Sequence, residues 1–391
     1  MIRYLKIDNF KSLVDFRLPI SDFTCLIGLN GAGKSSVLQA LDFTSAVMSG
    51  DVSEWLEKRS WKSKDLNSKL INKSNIRISI GLEINEELYL WTGNFNRAKL
   101  SCTAEILSRI TEGGNEDLFI VKGGQYTLYD NDPTPITFQY EGSILSQLKS
   151  SVLGNEIEAI KKGICDIRSL DLLSPQSLRL RARKSDKGDI GMGGEQLSLF
   201  IHRLDDDQKT LLVEKLQAYY PQVKSINTKA LRSGWIQLEL IEKYINADGK
   251  LYELKTEARH INDGMLRLLA ILAQQFSPLK TLLFDEIENG INPEITEQVV
   301  DALVTSPKQI IVTTHSPMVL NYMDDEVAKI AVTLIYKRED GRTQAVPFFE
   351  VPSAAEKLES LAPGDAMLDV YLQDIAKEAE AQRQESLQQE A

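Results

Sequence analysis

The stretch Gly28-Leu29-Asn30-Gly31-Ala32-Gly33-Lys34-Ser35 constrains this chain more than any other. It fits G-x-x-x-x-G-K-S, a glycine loop whose backbone N–H groups curl around phosphate oxygens. In such loops the lysine neutralises the phosphates and the serine hydroxyl reaches a magnesium ion. The pattern needs a particular setting. A buried strand must deliver the chain to the loop, and a helix must leave it with its N-terminal dipole facing the anion. Both flank it: Phe23-Thr24-Cys25-Leu26-Ile27 is a nearly continuous apolar run, and over residues 35–46 Val37, Leu38, Ala40 and Leu41 recur at helical spacing. Strand, glycine loop and helix together predict an α/β fold with a nucleotide as ligand.

A second apolar run, Thr281-Leu282-Leu283-Phe284, ends in Asp285-Glu286. Carboxylates at the carboxyl end of a buried parallel strand lie where open α/β sheets bind their ligands. Asp285 is placed to hold Mg²⁺ through a water, and Glu286 to polarise an attacking water. A helix over 293–304 and the strand Gln309-Ile310-Ile311-Val312-Thr313 complete a βαβ unit. His315, one of three histidines, follows in Thr314-His315-Ser316-Pro317, where a neutral imidazole could contact a γ-phosphate or the water. Upstream, Asn262-Asp263-Gly264 forms a small polar turn that opens an apolar helix over 265–276, and its first amides favour an anion.

The remaining chain reads more coarsely. A strand around Tyr4 to Ile7 leads to Asn9-Phe10-Lys11-Ser12, and Phe16-Arg17-Leu18 follows as a second strand. Residues 75–139 alternate with turn signals and predict an added antiparallel sheet. Residues 143–173 and 195–219 have helical patterning, separated by a glycine-rich break at 188–194, and strands are expected at 223–226 and 235–241. The polar tail from 376 predicts a frayed or disordered helix. Four regions result: a nucleotide-binding lobe with the sheet (1–142), a helical lobe with strands (143–261), a segment completing the core (262–350) and a helical tail (351–391).

A net charge of −11 argues against coating nucleic acid over the whole surface, because phosphate contacts need many cations. Two local basic clusters stand out, one at Lys62, Lys64, Lys69, Lys73 and Arg77. In the other, Arg179, Arg181 and Arg183 alternate as on an edge strand, with Lys184 and Lys187 after them. Three scattered cysteines, Cys25, Cys102 and Cys165, imply no disulfide framework and point to a reduced cytoplasm. No apolar run reaches the roughly 18 residues a bilayer span requires, and no signal peptide opens the chain, so no membrane partner is expected.

In their order and spacing these segments resemble the SMC/RecF-like branch of ABC ATPases, in particular the ATPase parts of OLD-family, Gabija and Septu defence proteins. The carriers are Asn9-Phe10-Lys11-Ser12, the glycine loop, Asn262-Asp263-Gly264-Met265-Leu266-Arg267, the run from Phe284 to Pro293, and Thr314-His315-Ser316-Pro317. The resemblance implies an ABC-type P-loop ATPase head carrying the antiparallel sheet and an inserted helical lobe. It implies ATP and Mg²⁺ as cofactors, and a homodimer or higher homo-oligomer that sandwiches two ATPs. Nucleotide contacts would come from Lys11, Asn30, Gly31, Ala32, Gly33, Lys34, Ser35 and Ser36. Asn262, Asp263 and Gly264 would reach the nucleotide of the other copy, Glu286 and His315 would be catalytic, and Ser35, Asp285 and Gln147 would serve the metal. Residues 288–292 would link the two sites. Two positions depart from the family pattern: Asn262 stands where serine is usual, and Asn292 where histidine is common. The implied function is an ATP-driven switch for a separate effector, a nuclease or toxin, in anti-phage defence. The alternative is a RecF-like ATPase that binds duplex DNA directly in repair, with the arginine cluster as its discriminator.

Overall fold

Burial of Ile2, Leu5 and Ile7 fixes the first strand, Ile2–Asp8, at once. It joins an eight-stranded antiparallel sheet whose order is Phe16–Pro19, Ile2–Asp8, Asn75–Ile84, Glu87–Asn96, Ser101–Thr111, Gly114–Lys122, Gln125–Leu128 and Thr134–Pro135. From Asn75 onward it is the meander that the alternation predicts. Two of its turns explain why: Asn85-Glu86 and Gly123-Gly124 hold positive φ at both central positions, the backbone that matches strand twist in tight hairpins. The computed structural model describes residues 1–170, 175–183 and 188–389. The chain divides into two compact units, Met1–Arg168 with Asp324–Ala391, and Ser169–Met323.

In the first unit the fully buried strand Phe23–Ile27 pairs in parallel with Val332–Lys337, which pairs antiparallel with Thr343–Pro347. The helix Lys34–Ser49 leaves the glycine loop. Its Phe43 packs against Phe10, Trp55 and Phe95 with ring centroids 5.2–5.3 Å apart, tying the helix to the added sheet. The tail forms the helix Leu372–Gln389, with Ile375 and Ala379 buried.

One buried carboxylate ties the sheet to the chain beyond it. Glu105 accepts hydrogen bonds from Trp91 Nε1 (3.1 Å), Ile144 N (2.9 Å) and Ser143 Oγ. Burial nevertheless pushes its carboxyl up to about 7 against these donors. The folded chain therefore keeps this proton to higher pH than the unfolded chain. Stability is fullest below about pH 4.5 and falls as pH rises to about 7, by on the order of 3 kcal/mol from this group. Urea unfolding at pH 5 and pH 8 should show that loss, and Glu105→Gln should flatten it.

The second unit holds the sheet of Ala182–Arg183, Trp235–Ile245, Val223–Ala230 and Leu251–Glu257. Helices Leu197–Arg203 and Asp206–Gln217 lie with it, the latter started by a capping box of Asp205 and Gln208. The expected βαβ unit forms: Thr281–Phe284 and Gln309–Thr313 are parallel, with Pro293–Val304 between them in sequence.

Three sequence expectations differ from the structure. The helix expected over 143–173 is shorter, Ser150–Cys165, with Gly154 at φ 76°, and a strand Ile167–Leu170 follows; residues 171–173 lie outside the described residues. The arginine stretch is not one edge strand. Pro175–Leu178 is a short helix, and only Ala182–Arg183 pairs, because Arg179 turns to bond Ile261 O; Lys184 and Lys187 lie outside the described residues. The strand Leu251–Glu257 was not expected, since its mix of apolar and charged residues carries no buried face, and all its residues up to Lys255 are exposed.

Candidate functional site

The phosphate loop is shaped by contacts inside the first unit. Gly28 has φ +144°, and a Cβ there would lie 2.1 Å from Ile335 O, so no other residue fits. Gly33, at φ +116°, caps the helix without a side chain, and a Cβ would meet Thr343 Oγ1 at 2.5 Å. That hydroxyl donates to Ala32 O at 2.8 Å and lies 2.8 Å from Ser12 Oγ. The loop is thereby held between two chain segments more than 300 residues apart. Lys34 is buried, and its Nζ donates to Gly28 O at 2.7 Å, which keeps the cation inside the loop's curve. Asn30, Gly31 and Ser35 are exposed, Ser36 is half-buried, and Ala32 is buried.

Lys11 stands near the same helix. Its Nζ donates to Gln39 Oε1 at 2.7 Å, one turn beyond Ser35, and lies 3.4 Å from the centre of the Trp61 ring. Burial, with Arg59 close by, lowers its pKa to about 8. Gln147 closes the one-turn helix Ile144–Ser146, and its exposed amide donates to Ser146 Oγ at 3.0 Å.

The second unit brings Asp285, Glu286, Glu288 and His315 together. Thr313, the last residue of its strand, holds the Asp285 carboxylate and the Glu286 backbone: its Oγ1 donates to Asp285 Oδ1 at 2.5 Å and accepts from Glu286 N at 2.8 Å. Ile287 N donates to Thr313 O at 3.2 Å. These bonds hold Glu286 at φ +50°, a conformation uncommon for a residue with a side chain. Asn289 Nδ2 reaches Glu286 Oε2 at 3.3 Å. Glu288 serves the histidine: its Oε1 accepts from His315 N at 3.0 Å and lies 3.1 Å from His315 Nδ1. The imidazole is thus oriented by Glu288 and half exposed.

Asn262 caps the helix Asp263–Ala273, its Oδ1 accepting from Met265 N at 2.8 Å. Arg179 anchors this turn, bonding Asp263 Oδ1 and, at 2.8 Å, Ile261 O. Arg181 faces Glu257 at 3.9 Å, and the Arg183 guanidinium sits 5.3 Å from the Trp235 ring. All three arginines of the expected basic face are engaged within their own unit. The roles of Thr313, Glu288 and Arg179 escaped the sequence reading. Thr313 left one signal there, a polar residue closing an apolar strand.

Among the described residues no three His, Cys, Asp or Glu converge as a metal cluster. Nor, among the described residues, is any helix long and apolar enough to cross a membrane.

A family model described as an AAA ATPase domain matches residues 1–230. A second, described as an AAA domain, putative AbiEii toxin, Type IV TA system, matches residues 240–321. An OLD nuclease of Thermus scotoductus is 32% identical over 123 residues, covering 29% of this chain and 21% of that protein. The chain thus spans about a fifth (21%) of the length of that curated relative. Among solved structures, an SMC head bound to the C-winged helix domain of ScpA has a TM-score of 0.54 at 17% identity, covering 88% of this chain and 96% of that one. An SMC head with an extended coiled coil, bound to the C-terminal domain of ScpA derived from Pyrococcus furiosus, has a TM-score of 0.51 at 14% identity, covering 92% and 100%. The fold is that of an SMC head, an ABC-type P-loop architecture, as the sequence predicts.

Proposed function

We propose, starting from the fact that this chain belongs to the AAA ATPase domain family, that it hydrolyses ATP between two copies of itself and uses the cycle to switch a separate effector protein. The observation that carries this reading is the clamp of Thr313 on Asp285 and Glu286, with Glu286 held in an uncommon backbone conformation beside an oriented His315. Asn289 Nδ2, 3.3 Å from Glu286 Oε2, aims the carboxylate, and an aimed base is what activation of a water requires.

The roles follow from the chemistry of each group. The loop amides of Asn30, Gly31, Ala32 and Gly33 and the Lys34 ammonium bind the phosphates, and Ser36 and Lys11 add contacts. Ser35 and Asp285 are hard oxygen ligands suited to Mg²⁺, and Gln147 is the candidate to sense it. When bound, the metal supplies charge neutralisation between the phosphates. Glu286 takes the proton of the attacking water, and His315 donates to the phosphate. Asn262, Asp263 and Gly264 serve the nucleotide of the other copy through an exposed helix start. A nuclease or toxin as effector is supported by the likeness to an OLD nuclease and to the family described as a putative AbiEii toxin; the setting in anti-phage defence rests on the resemblance read from the sequence. The scattered cysteines Cys25, Cys102 and Cys165 suit a reducing cytoplasm.

Light scattering of Glu286→Gln tests the switch. Adding ATP and Mg²⁺ should double the mass of the nucleotide-free particle, and Lys34→Ala should abolish the doubling. An unchanged mass in the glutamine variant would refute the sandwich.

A further inference from the structure

In the sheet of the second unit, Leu251–Glu257 pairs with Trp235–Ile245 on one side only, and among the described residues no strand covers its other edge. This edge carries no proline, and its Leu251, Tyr252 and Leu254 are 58%, 48% and 45% exposed. Open edges of that kind are ordinarily blunted, because their free N–H and C=O groups recruit another strand. We propose that this edge pairs with the same edge of a second copy, antiparallel across a two-fold axis at Leu254, forming a nucleotide-independent dimer.

Charge selects both the occupant and the register. With Leu254 opposite itself, Glu253 of each copy faces Lys255 of the other, and Tyr252 faces Thr256. Moving the axis to Glu253 or Lys255 sets glutamate against glutamate or lysine against lysine, which opposes pairing. The strand is therefore self-complementary in one register. Backbone alternation agrees with it. Asn246 N donates to Lys250 O at 3.0 Å, and counting along the ladder from that bond turns the polar groups of Leu251, Glu253, Lys255 and Glu257 toward the open edge. Glu253 and Lys255 then exchange main-chain bonds between copies, and the two Leu254 residues form the close non-hydrogen-bonded pair at the axis. Tyr244 and Tyr252, with rings 5.9 Å apart, share the face that holds Leu254, where Glu242 stands opposite it.

The test uses the full chain without nucleotide, by light scattering and by disulfide trapping in a Cys165→Ser background. The chain should run at twice its monomer mass, and Lys34→Ala should leave that mass unchanged, which separates this interface from an ATP-dependent one. Lys255→Glu should halve the mass, because the new carboxylate of each copy would face Glu253 of the other, and adding Glu253→Lys should restore it. Leu254→Cys should trap the dimer as a disulfide, since close cross-strand pairs meet disulfide geometry. Ile245→Cys, more exposed at 70%, should not. A monomeric nucleotide-free chain would overturn the proposal and leave the edge to a strand of another protein. Equal trapping by Ile245→Cys, or a dimer indifferent to the charge swap, would place any self-association elsewhere.

Discussion

Glutamine at position 286 is expected to slow ATP turnover by about 10²- to 10⁴-fold, the range that a positioned general base contributes. The substitution keeps the side chain's shape and its reach toward Asn289 Nδ2, 3.3 Å away. It also leaves the Thr313 clamp in place, because that clamp uses the backbone N–H of Glu286 and the carboxylate of Asp285. Nucleotide affinity should therefore stay within a few-fold while the chemical step fails. Single-turnover measurement of phosphate release, beside equilibrium binding of a fluorescent ATP analogue, separates the two. If turnover survives within about threefold, Glu286 does not activate the water, and the base has to be sought elsewhere.

Lys34→Ala is expected to weaken ATP binding by about 100-fold or more. Bonds from a charged donor are each worth roughly 1.5–3 kcal/mol, and about 1.4 kcal/mol is a factor of ten. The lysine is buried against Gly28 O at 2.7 Å, so alanine also leaves a carbonyl without its donor inside the loop. Both effects act on the first unit alone. Titration calorimetry reads the affinity, and circular dichroism checks that the fold is kept. Wild-type affinity in this variant would remove the lysine from the phosphate site.

The parts of this molecule that were legible in its sequence are those where one short segment sets its own structure. The glycine loop is such a segment: Gly28, Gly31 and Gly33 all hold positive φ, a backbone that glycine adopts without steric cost. The βαβ run ending at Asp285 and the meander from Asn75 are others, written in apolar continuity and in alternation with tight turns. What stayed hidden depends on partners distant in sequence. Thr343 bonds the loop from more than 300 residues away. Glu288 orients His315 across 27 residues, and Arg179 reaches Asp263 across 84. The alternation of Arg179, Arg181 and Arg183 predicted one basic edge, yet each found a different local partner: a helix start, a carboxylate and an indole ring. Periodicity describes which face a side chain could share, not which tertiary acceptor captures it.

The claim on which the rest depends is that this chain turns over ATP through Glu286. Phosphate release by the wild-type chain, as a function of ATP and with Mg²⁺ present, tests it most directly. The expected result is saturable release that chelation of the metal stops, that Lys34→Ala removes by loss of binding, and that Glu286→Gln removes with binding intact. Nucleotide bound tightly by the wild-type chain but not cleaved, at any ATP concentration, would contradict it.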